Sequence, residues 1–138
     1  MKKYLLDTNV ISETRKPKPH GGVLAWLAGL RDEQIFLSAV TLGELQRGIE
    51  RTRLQDPKKA GEIELWLDKV VESFQILPMD SSCFRQWAVL MESNQQHLLE
   101  DAMIAATARV NGLTVATRNE SDFVSFAVDI FNPFESTR

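Results

Sequence analysis

The stretch Lys3-Tyr4-Leu5-Leu6-Asp7 is a short apolar run that ends directly at an acidic residue. It predicts a first strand with Asp7 at its carboxyl end. Further short apolar runs follow, and segments whose apolar residues recur at helical spacing separate them. Strands joined through helices form right-handed crossovers and a parallel sheet covered on both faces. The sequence therefore predicts an α/β fold, with a central parallel five-stranded sheet flanked by helices on both faces.

The bounds of the predicted elements follow from the positions of apolar, capping and turn residues. Five strands are predicted, at residues 3–6, 34–37, 75–78, 113–116 and 128–131. Thr41 and Glu44 have the spacing of a capping box, which predicts a helix over 41–53. Gly112 is well placed to end a helix over 101–111, whose small apolar residues predict tight burial.

The composition is typical of one globular domain, and we expect residues 1–138 to form it. Of the 138 residues, 43% are hydrophobic and 25% are charged. A single cysteine and two histidines exclude a disulfide framework and a Cys/His zinc site. We expect His20 and His97 in loops or at helix ends, with solvated side chains. No signal peptide is recognisable and no apolar run approaches the ~18 residues of a membrane span, so we expect a cytoplasmic protein.

Acidic residues lie near the ends of several predicted strands, where open α/β sheets bind their ligands. Asp7 follows the first strand, Glu44 lies early in the helix after the second, and Asp101 begins the helix before the fourth. Asp122 comes after the turn that follows the fourth strand. Close carboxylates raise one another's pKa values, and a divalent cation resolves that conflict. Oxygen ligands favour Mg²⁺ or Mn²⁺, which would activate a water for attack on a phosphodiester.

Each of these acidic residues also has a structural interpretation. Asp7 could cap a helix over 8–15, and Glu44 could serve only the capping box. Asp101 is favourable near a helix N-terminus, although a buried apolar helix has little need of an acid there. Asp122 lies in a polar turn, where Asp is common for conformational reasons. Spacing alone leaves these alternatives open.

Basic residues form two groups in a chain whose formal net charge is −3. The acidic total argues against a broad basic face for nucleic acid but permits a local patch. One group follows the first acid closely: Arg15, Lys16 and Lys18. The other comes later in the chain: Arg47, Arg51, Arg53, Lys58 and Lys59. Because runs of charge are usually solvated surface, neither group establishes a binding site.

Four motifs, in this order, resemble those of PIN-domain proteins. The first is Leu5-Leu6-Asp7-Thr8-Asn9-Val10-Ile11-Ser12, and the second is Leu37-Ser38-Ala39-Val40-Thr41-Leu42-Gly43-Glu44-Leu45 with Gly48-Ile49. The third is Asp101-Ala102-Met103-Ile104-Ala105-Ala106, and the fourth is Ala116-Thr117-Arg118-Asn119 with Asp122-Phe123. A closing Asn132-Pro133-Phe134 also resembles this group. The sequence is most similar to VapC-type toxins of bacterial type II toxin–antitoxin pairs, particularly the FitB-like branch.

The resemblance implies a PIN fold and a Mg²⁺-dependent endoribonuclease, in which Mn²⁺ can substitute and tRNA is the expected target class. Carried over by position, Asp7, Glu44 and Asp101 match the three core acids that hold the metal. Asp122 matches a more variable fourth acid. Four polar residues match positions that brace the acids or the metal's water: Thr8, Asn9, Thr117 and Asn119. Two further acids leave open which residues share the metal: Glu100 and Glu120.

The resemblance also implies partners. We expect a homodimer, a cognate antitoxin that blocks the acidic site, and operator DNA bound only through the antitoxin. Three basic residues become candidates for contact with the RNA backbone: Arg15, Lys16 and Lys18. Two other functions stay open, a catalytically weak antitoxin-binding and co-repressor module, and a Mg²⁺-dependent phosphatase on small substrates. Growth arrest without the antitoxin separates the nuclease from the first, and activity on a chromogenic phosphate ester but not on RNA would favour the second.

Overall fold

The computed structural model describes residues 1–93 and 99–135 and contains a parallel sheet of five strands. In chain order the strands are β1 (Tyr4–Leu6), β2 (Ile35–Ser38), β3 (Gln75–Leu77), β4 (Thr114–Ala116) and β5 (Ile130–Phe131). Their order across the sheet is β3-β2-β1-β4-β5, and every neighbouring pair is parallel. The predicted sheet is confirmed, and each strand lies within two residues of its predicted bounds.

Helices connect the strands, as the alternating pattern predicts. Those of the described residues are α1 (Thr8–Glu13), α2 (Gly21–Ala28), α3 (Ala39–Arg53), α4 (Pro57–Ser73), α5 (Ser81–Ser93), α6 (Leu99–Asn111) and α7 (Ser121–Val124). None of them is long and apolar enough to cross a membrane.

The sheet divides the core into two halves, and residues of the central strand β1 contribute to both. Leu6 packs in a cluster that holds the buried residues of α1, α2, α3 and α4, among them Ile11 and Ile49. Leu5 faces the opposite way and packs with α5, α6 and α7, including Ala105 and Phe123. Successive residues of a strand point to opposite faces of the sheet, so these two leucines place helices on both of them. The predicted α/β architecture is confirmed.

The start of α3 corrects the sequence prediction. The Ser38 hydroxyl accepts a hydrogen bond of 3.0 Å from the Val40 backbone N–H, so Ser38 caps the helix and Ala39 begins it. Thr41 therefore lies inside the first turn, two residues beyond the helix start. The prediction of a capping box formed by Thr41 and Glu44 is wrong. Ser38 already serves as the cap, and the side chain of Glu44 contacts Thr8 of α1 instead.

Two other local predictions have different outcomes. Gly112 follows α6 with a φ of 67°, a left-handed conformation that glycine adopts readily, and its prediction as the helix stop is confirmed. His20 is half-buried, and its Nδ1 accepts a hydrogen bond of 3.2 Å from the Val23 backbone N–H at the start of α2. The expectation of a solvated His20 is therefore wrong, because the imidazole caps a helix. His97 lies outside the described residues.

The parallel register brings three polar positions to one edge of the sheet. Leu6 pairs with Ala116, so the next residues along, Asp7 and Thr117, leave neighbouring strands together. Ser38 ends β2 on the other side of β1. Since parallel strands share a carboxyl edge, the starts of α1 and α3 and the loop after β4 all lie there.

Candidate active site

Asp7 lies at the centre of the carboxyl edge and is only 5% exposed. Its Oδ1 accepts a hydrogen bond of 2.8 Å from the Thr8 backbone N–H, which makes it the N-cap of α1. Its Oδ2 accepts from the Asn9 amide at 3.0 Å and from the Thr117 hydroxyl at 2.8 Å. The capping interpretation of Asp7 is therefore confirmed, and the same residue presents a buried carboxylate at the sheet edge.

Burial raises the pKa of Asp7, and three hydrogen bonds oppose that rise because they stabilise the charged form. The strongest of them comes from the Thr117 hydroxyl, and the charge of Asp122 pushes the pKa upward again. Among the described residues no cation forms an ion pair with Asp7 within 4.0 Å. The carboxylate is thus held in place by neutral donors, and its charge is left without a counter-ion.

Glu44 reaches the same edge from the second turn of α3. Its Oε1 accepts a hydrogen bond of 2.7 Å from the Thr8 hydroxyl, which also lies 3.3 Å from the buried hydroxyl of Thr41. Burial raises the pKa of Glu44, the bond from Thr8 lowers it, and the charges of Asp7 and Glu100 raise it again. Thr8 therefore orients Glu44, as the resemblance implies for a bracing residue.

Asp101 lies in the first turn of α6, since that helix begins at Leu99, two residues before the predicted start. Burial, the largest cause, and the charges of neighbouring acids together raise the pKa of Asp101 to about 7. In order of effect these neighbours are Asp7, Asp122, Glu44 and Glu100. The acids that the sequence predicts to gather at one edge are therefore close enough for their charges to act on one another.

Asp122 stands in the first turn of α7 and is half-buried. Its charge raises the pKa of both Asp7 and Asp101, which places it with them rather than in an unrelated polar turn. Its backbone N–H also donates to the Asn119 carbonyl at 3.1 Å, so the turn interpretation holds as well.

The two extra acids differ in their surroundings. The charge of Glu100 acts on Glu44 and Asp101, which makes it a neighbour of the acid cluster. Glu120 is exposed and accepts a hydrogen bond of 3.1 Å from the Asn132 amide, so its carboxylate binds the C-terminal segment. The structure thus brings Glu100 to the site and holds Glu120 to one side.

Polar residues behind the acids connect two elements that are far apart in sequence. The Asn9 side chain accepts a hydrogen bond of 3.1 Å from the Arg118 backbone N–H, and its amide lies 3.4 Å from the Thr117 hydroxyl. Asn119 contributes through its backbone N–H, which donates to the Thr117 hydroxyl at 2.9 Å. The loop after β4 is therefore fastened to α1, and Thr117 is its fully buried centre.

The chemistry of this cluster fits a hard divalent cation. The donors are carboxylates, their pKa values are raised, and no cation of the described residues neutralises them. In this arrangement no three acidic, histidine or cysteine side chains of residues 1–93 and 99–135 lie close enough together to hold an ion directly. Mg²⁺ usually keeps several waters and takes one or two carboxylates, so a loose group of acids suits it.

The first basic group is divided between structural contacts and solvent. The Lys16 ammonium lies 2.9 Å from the Glu13 carboxylate, which is buried. The Arg15 guanidinium lies 6.0 Å from the centre of the Trp66 ring, and Lys18 is exposed. Sequence reasoning missed Glu13, whose other oxygen accepts from the His20 backbone N–H at 2.8 Å and holds the loop after α1. The signal was present, because Glu13 and Lys16 have the i, i+3 spacing of a helical ion pair.

Comparisons with known proteins show which family the chain resembles. A family model for the PIN domain matches residues 4–128. Toxin FitB of Neisseria gonorrhoeae is 38% identical over 137 residues, which cover 94% of this chain and 97% of that protein. VapC ribonuclease Y4jK of Sinorhizobium fredii is 37% identical over 141 residues, covering 95% and 97%.

A solved structure extends the similarity to three dimensions. The structure of FitAB bound to a DNA fragment, IR36, contains a chain that superposes with a TM-score of 0.86 at 34% identity, covering 98% of both chains. The family match spans most of the sequence, and the acidic residues of the matched region meet at the carboxyl edge of the sheet. The chain belongs to the PIN-domain family.

Proposed function

We propose that this PIN domain is a Mg²⁺-dependent endoribonuclease toxin of a toxin–antitoxin pair, in which Mn²⁺ can replace Mg²⁺. The observation that carries the proposal is the group of acids at the carboxyl edge, where burial and neighbouring charges raise the pKa values of Asp7, Glu44 and Asp101 and no cation of the described residues forms an ion pair with them. The names of two relatives, a toxin and a ribonuclease, support the same conclusion.

In this proposal Asp7, Glu44 and Asp101 hold the divalent ion, one or two of them directly and the rest through its waters, and Asp122 binds or orients the water or a second ion. When bound, the ion would supply an activated water and neutralise the charge that develops on an RNA phosphate. The protein contributes fixed positions for its carboxylates, because Thr117 and Asn9 donate to Asp7 and Thr8 donates to Glu44. In-line attack would leave a 5′-phosphate and a 3′-hydroxyl.

The protonation of Asp101 gives the site a further property. With a pKa of about 7, this residue is partly protonated at neutral pH and must lose its proton before it binds a cation. The acid form limits the repulsion within the cluster when the ion is absent. Ion binding and proton release at Asp101 are therefore coupled.

The proposed partners follow from the same family. A cognate antitoxin would cover the acidic site, and one of its basic side chains could take the place of the ion's charge. The relative FitB occurs in a FitAB assembly on DNA, which supports operator binding through a partner rather than through this acidic chain. We further propose a homodimer that acts in the cytoplasm as one domain over residues 1–138, with tRNA as the target class.

Cleavage of purified total tRNA and of a long RNA tests the nuclease. The antitoxin-free protein is incubated with Mg²⁺ or with EDTA, beside two variants. Asp101→Asn removes a carboxylate of the cluster, and Asp129→Asn makes the same change at an exposed position next to the amino end of β5. With Mg²⁺, discrete cuts are expected for the parent and for Asp129→Asn. No cuts are expected for either of them with EDTA, or for Asp101→Asn in either condition. Cuts that survive in Asp101→Asn would contradict the proposed site.

Expression without the antitoxin tests the toxin. Growth arrest by the parent and its relief by Asp101→Asn are expected. If the parent neither arrests growth nor cuts RNA yet binds an antitoxin on DNA, the co-repressor function replaces the nuclease. If it hydrolyses a chromogenic phosphate ester but no RNA, the phosphatase function does.

A further inference from the structure

Two arginines continue the face of α3 that begins at the acid cluster. Arg47 and Arg51 follow Glu44 by three and seven residues, and both are exposed. At 100° and 1.5 Å per residue, Arg51 points within about 20° of the direction of Glu44 and lies about 10 Å farther along the helix axis. Arg47 lies between them along the axis, about 60° to one side. A basic stripe therefore leads away from the proposed catalytic acids.

The charges of this stripe are not neutralised within the described part of the chain. Neither Arg47 nor Arg51 has a carboxylate within 4.0 Å there. The nearest acids along α3 have other partners: Glu44 accepts from Thr8 at 2.7 Å, and Glu50 accepts from Arg53 at 2.9 and 3.0 Å. Two like charges at i, i+4 destabilise a helix slightly, and the position of Arg51 in the last turn of α3, where the helix dipole favours a cation, opposes that effect.

A third arginine of the same helix shows the contrast. Arg53 donates to Glu50 and, at 2.7 Å, to Glu64 of α4, and Gln46 donates to both acids at 2.8 Å. This network joins α3 to α4 and uses the charge of Arg53 internally. The second basic group of the sequence thus contains one structural arginine and two whose charges face solvent.

The surface around the stripe is open and concave. Arg47 and Arg51 line a depression of about 590 Å³, together with Glu50, Arg53 and Leu54. Leu54 is 87% exposed. Gly48 lies between the two arginines, and a Cβ placed on it would meet nothing within 4 Å. An extended polymer can therefore lie along this face of α3 without displacing a side chain of the protein.

We propose that Arg47 and Arg51 bind phosphates of the RNA strand on one side of the scissile bond. This inference rests on the proposed function. The acid cluster repels a polyanion, so the strand needs nearby cations to hold it against the site. The planar guanidinium matches a phosphate with paired hydrogen bonds, and both arginines keep their charge for such a contact.

The stripe differs in this respect from two members of the first basic group, Lys16 and Arg15. There the Lys16 charge is paired with Glu13 and the Arg15 guanidinium lies by the ring of Trp66. Two phosphate contacts also suit an acidic chain, because they need a local stripe and not a basic face.

RNA binding is measured on the full chain in the Asp101→Asn background, so that cleavage does not interfere. A fluorescent single-stranded RNA oligonucleotide is titrated over a series of salt concentrations. The test variant is Arg47→Gln/Arg51→Gln. The control is Arg31→Gln/Arg85→Gln, which removes the same charge from exposed arginines on other elements, one before β2 and one on α5. Unfolding temperatures confirm that all three chains are folded.

The test variant is expected to bind RNA about tenfold more weakly at low salt than the background chain. The slope of log affinity against log salt should fall by about 1.4, or about 0.7 for each lost phosphate contact of a single strand. The control should keep both values. Equal affinity and slope in the test variant would overturn the inference, as would an equal loss in the control.

Two outcomes distinguish this inference from antitoxin binding by the same surface and from the proposed nuclease activity. If Arg47→Gln/Arg51→Gln leaves RNA binding intact but weakens binding of the purified antitoxin, the stripe is a protein-binding surface and the inference is wrong. If the parent cuts no RNA but the Asp101→Asn chain binds RNA through the two arginines, the nuclease proposal fails while the stripe remains an RNA-binding surface. Absence of any RNA binding would overturn both.

Discussion

The hydroxyl of Thr117 donates a hydrogen bond of 2.8 Å to Oδ2 of Asp7, across a separation of 110 residues in the sequence. Both side chains are buried, and β1 and β4 bring them together because Leu6 and Ala116 are paired in the sheet. This contact joins the first and the fourth sequence motifs. It also stabilises the charged form of Asp7 against the effect of burial.

Thr117→Val should impair RNA cleavage while the fold is kept. Valine has nearly the shape of threonine, but it leaves Asp7 without its strongest donor, so the pKa of Asp7 rises further and Mg²⁺ binds less tightly. Loss of a residue that orients a metal ligand costs about 10- to 100-fold in activity or metal affinity. Cleavage rates over a Mg²⁺ series and a pH series measure this.

Thr114→Val is the matched control, since it makes the same change at a buried threonine at the amino end of β4, three residues before Thr117. It should leave cleavage, and its dependence on Mg²⁺ and pH, close to those of the parent. If both variants lose activity equally, the hydroxyl of Thr117 acts through general packing and not through Asp7.

Affinity for Mg²⁺ should rise with pH through about 7. Asp101, with a pKa of about 7, is protonated below that pH, and a cation must displace the proton. Where one proton is released for each ion bound, affinity falls about tenfold per pH unit below the pKa. Calorimetry in buffers of different ionisation enthalpy counts the released protons. A number near zero, or an affinity independent of pH, would contradict the coupling.

The place of the acids could be predicted because it depends on features that are local in sequence. Asp7 directly follows an apolar run, and parallel strands that alternate with helices share one carboxyl edge. Asp101 begins a segment so apolar that an acid there requires a reason. The place of Asp122 in the cluster could not be predicted from the sequence, because a polar turn explains an Asp at this position equally well. Only the structure shows that the charge of Asp122 acts on Asp7 and Asp101.

The orientation of the acids could not be predicted, since it depends on hydrogen bonds between distant segments. Thr8 and Glu44 are 36 residues apart, and no spacing rule connects them. The capping box failed for a related reason. Ser38 and Thr41 are both good cap residues, and the choice between them depends on the nearby Thr8 as well as on the helix.

Asp101→Asn should stabilise the ion-free protein at neutral pH. Burial and neighbouring charges raise the pKa of Asp101 from its usual 3.8 to about 7, so the folded state holds a proton that the unfolded state has lost. The contribution of this residue to stability therefore falls as pH rises from about 4 to about 7 and stays low above that range. Asparagine removes the penalty, and an increase of the unfolding temperature by a few degrees is expected near pH 7.5.

Asp129→Asn serves as the control for that measurement, because its side chain is exposed and it lies away from the acid cluster. The difference between Asp101→Asn and the parent should shrink as the pH falls toward 3.8 and vanish well below it, where the parent is protonated in both states. Added Mg²⁺ should stabilise the parent and leave Asp101→Asn nearly unchanged. A lower unfolding temperature for Asp101→Asn at neutral pH without Mg²⁺ would show that the carboxylate stabilises the fold instead.

Lys16 and Lys18 should differ although both are exposed lysines of one loop. Lys16 pairs with the buried Glu13 at 2.9 Å, and this contact lowers the pKa of Glu13. Lys16→Gln should therefore lower the free energy of unfolding by about 1 kcal/mol, because it removes the ion-pair partner of a buried carboxylate while the half-exposed position of Lys16 limits the effect. Lys18→Gln should leave stability unchanged, since the described residues hold no ion pair for Lys18.

The pH dependence gives the Lys16 prediction its sharper test. A carboxyl group with a lowered pKa contributes stability above its unfolded pKa, 4.5 for Glu13, and loses that contribution as the pH falls through its folded value. The gap in unfolding free energy between Lys16→Gln and the parent should therefore narrow below pH 4.5 and persist at neutral pH. RNA binding should weaken more in Lys18→Gln than in Lys16→Gln if this loop touches the RNA backbone, because Glu13 already neutralises Lys16. A gap that is constant with pH would mean that Lys16 acts through its aliphatic stem and not through the ion pair.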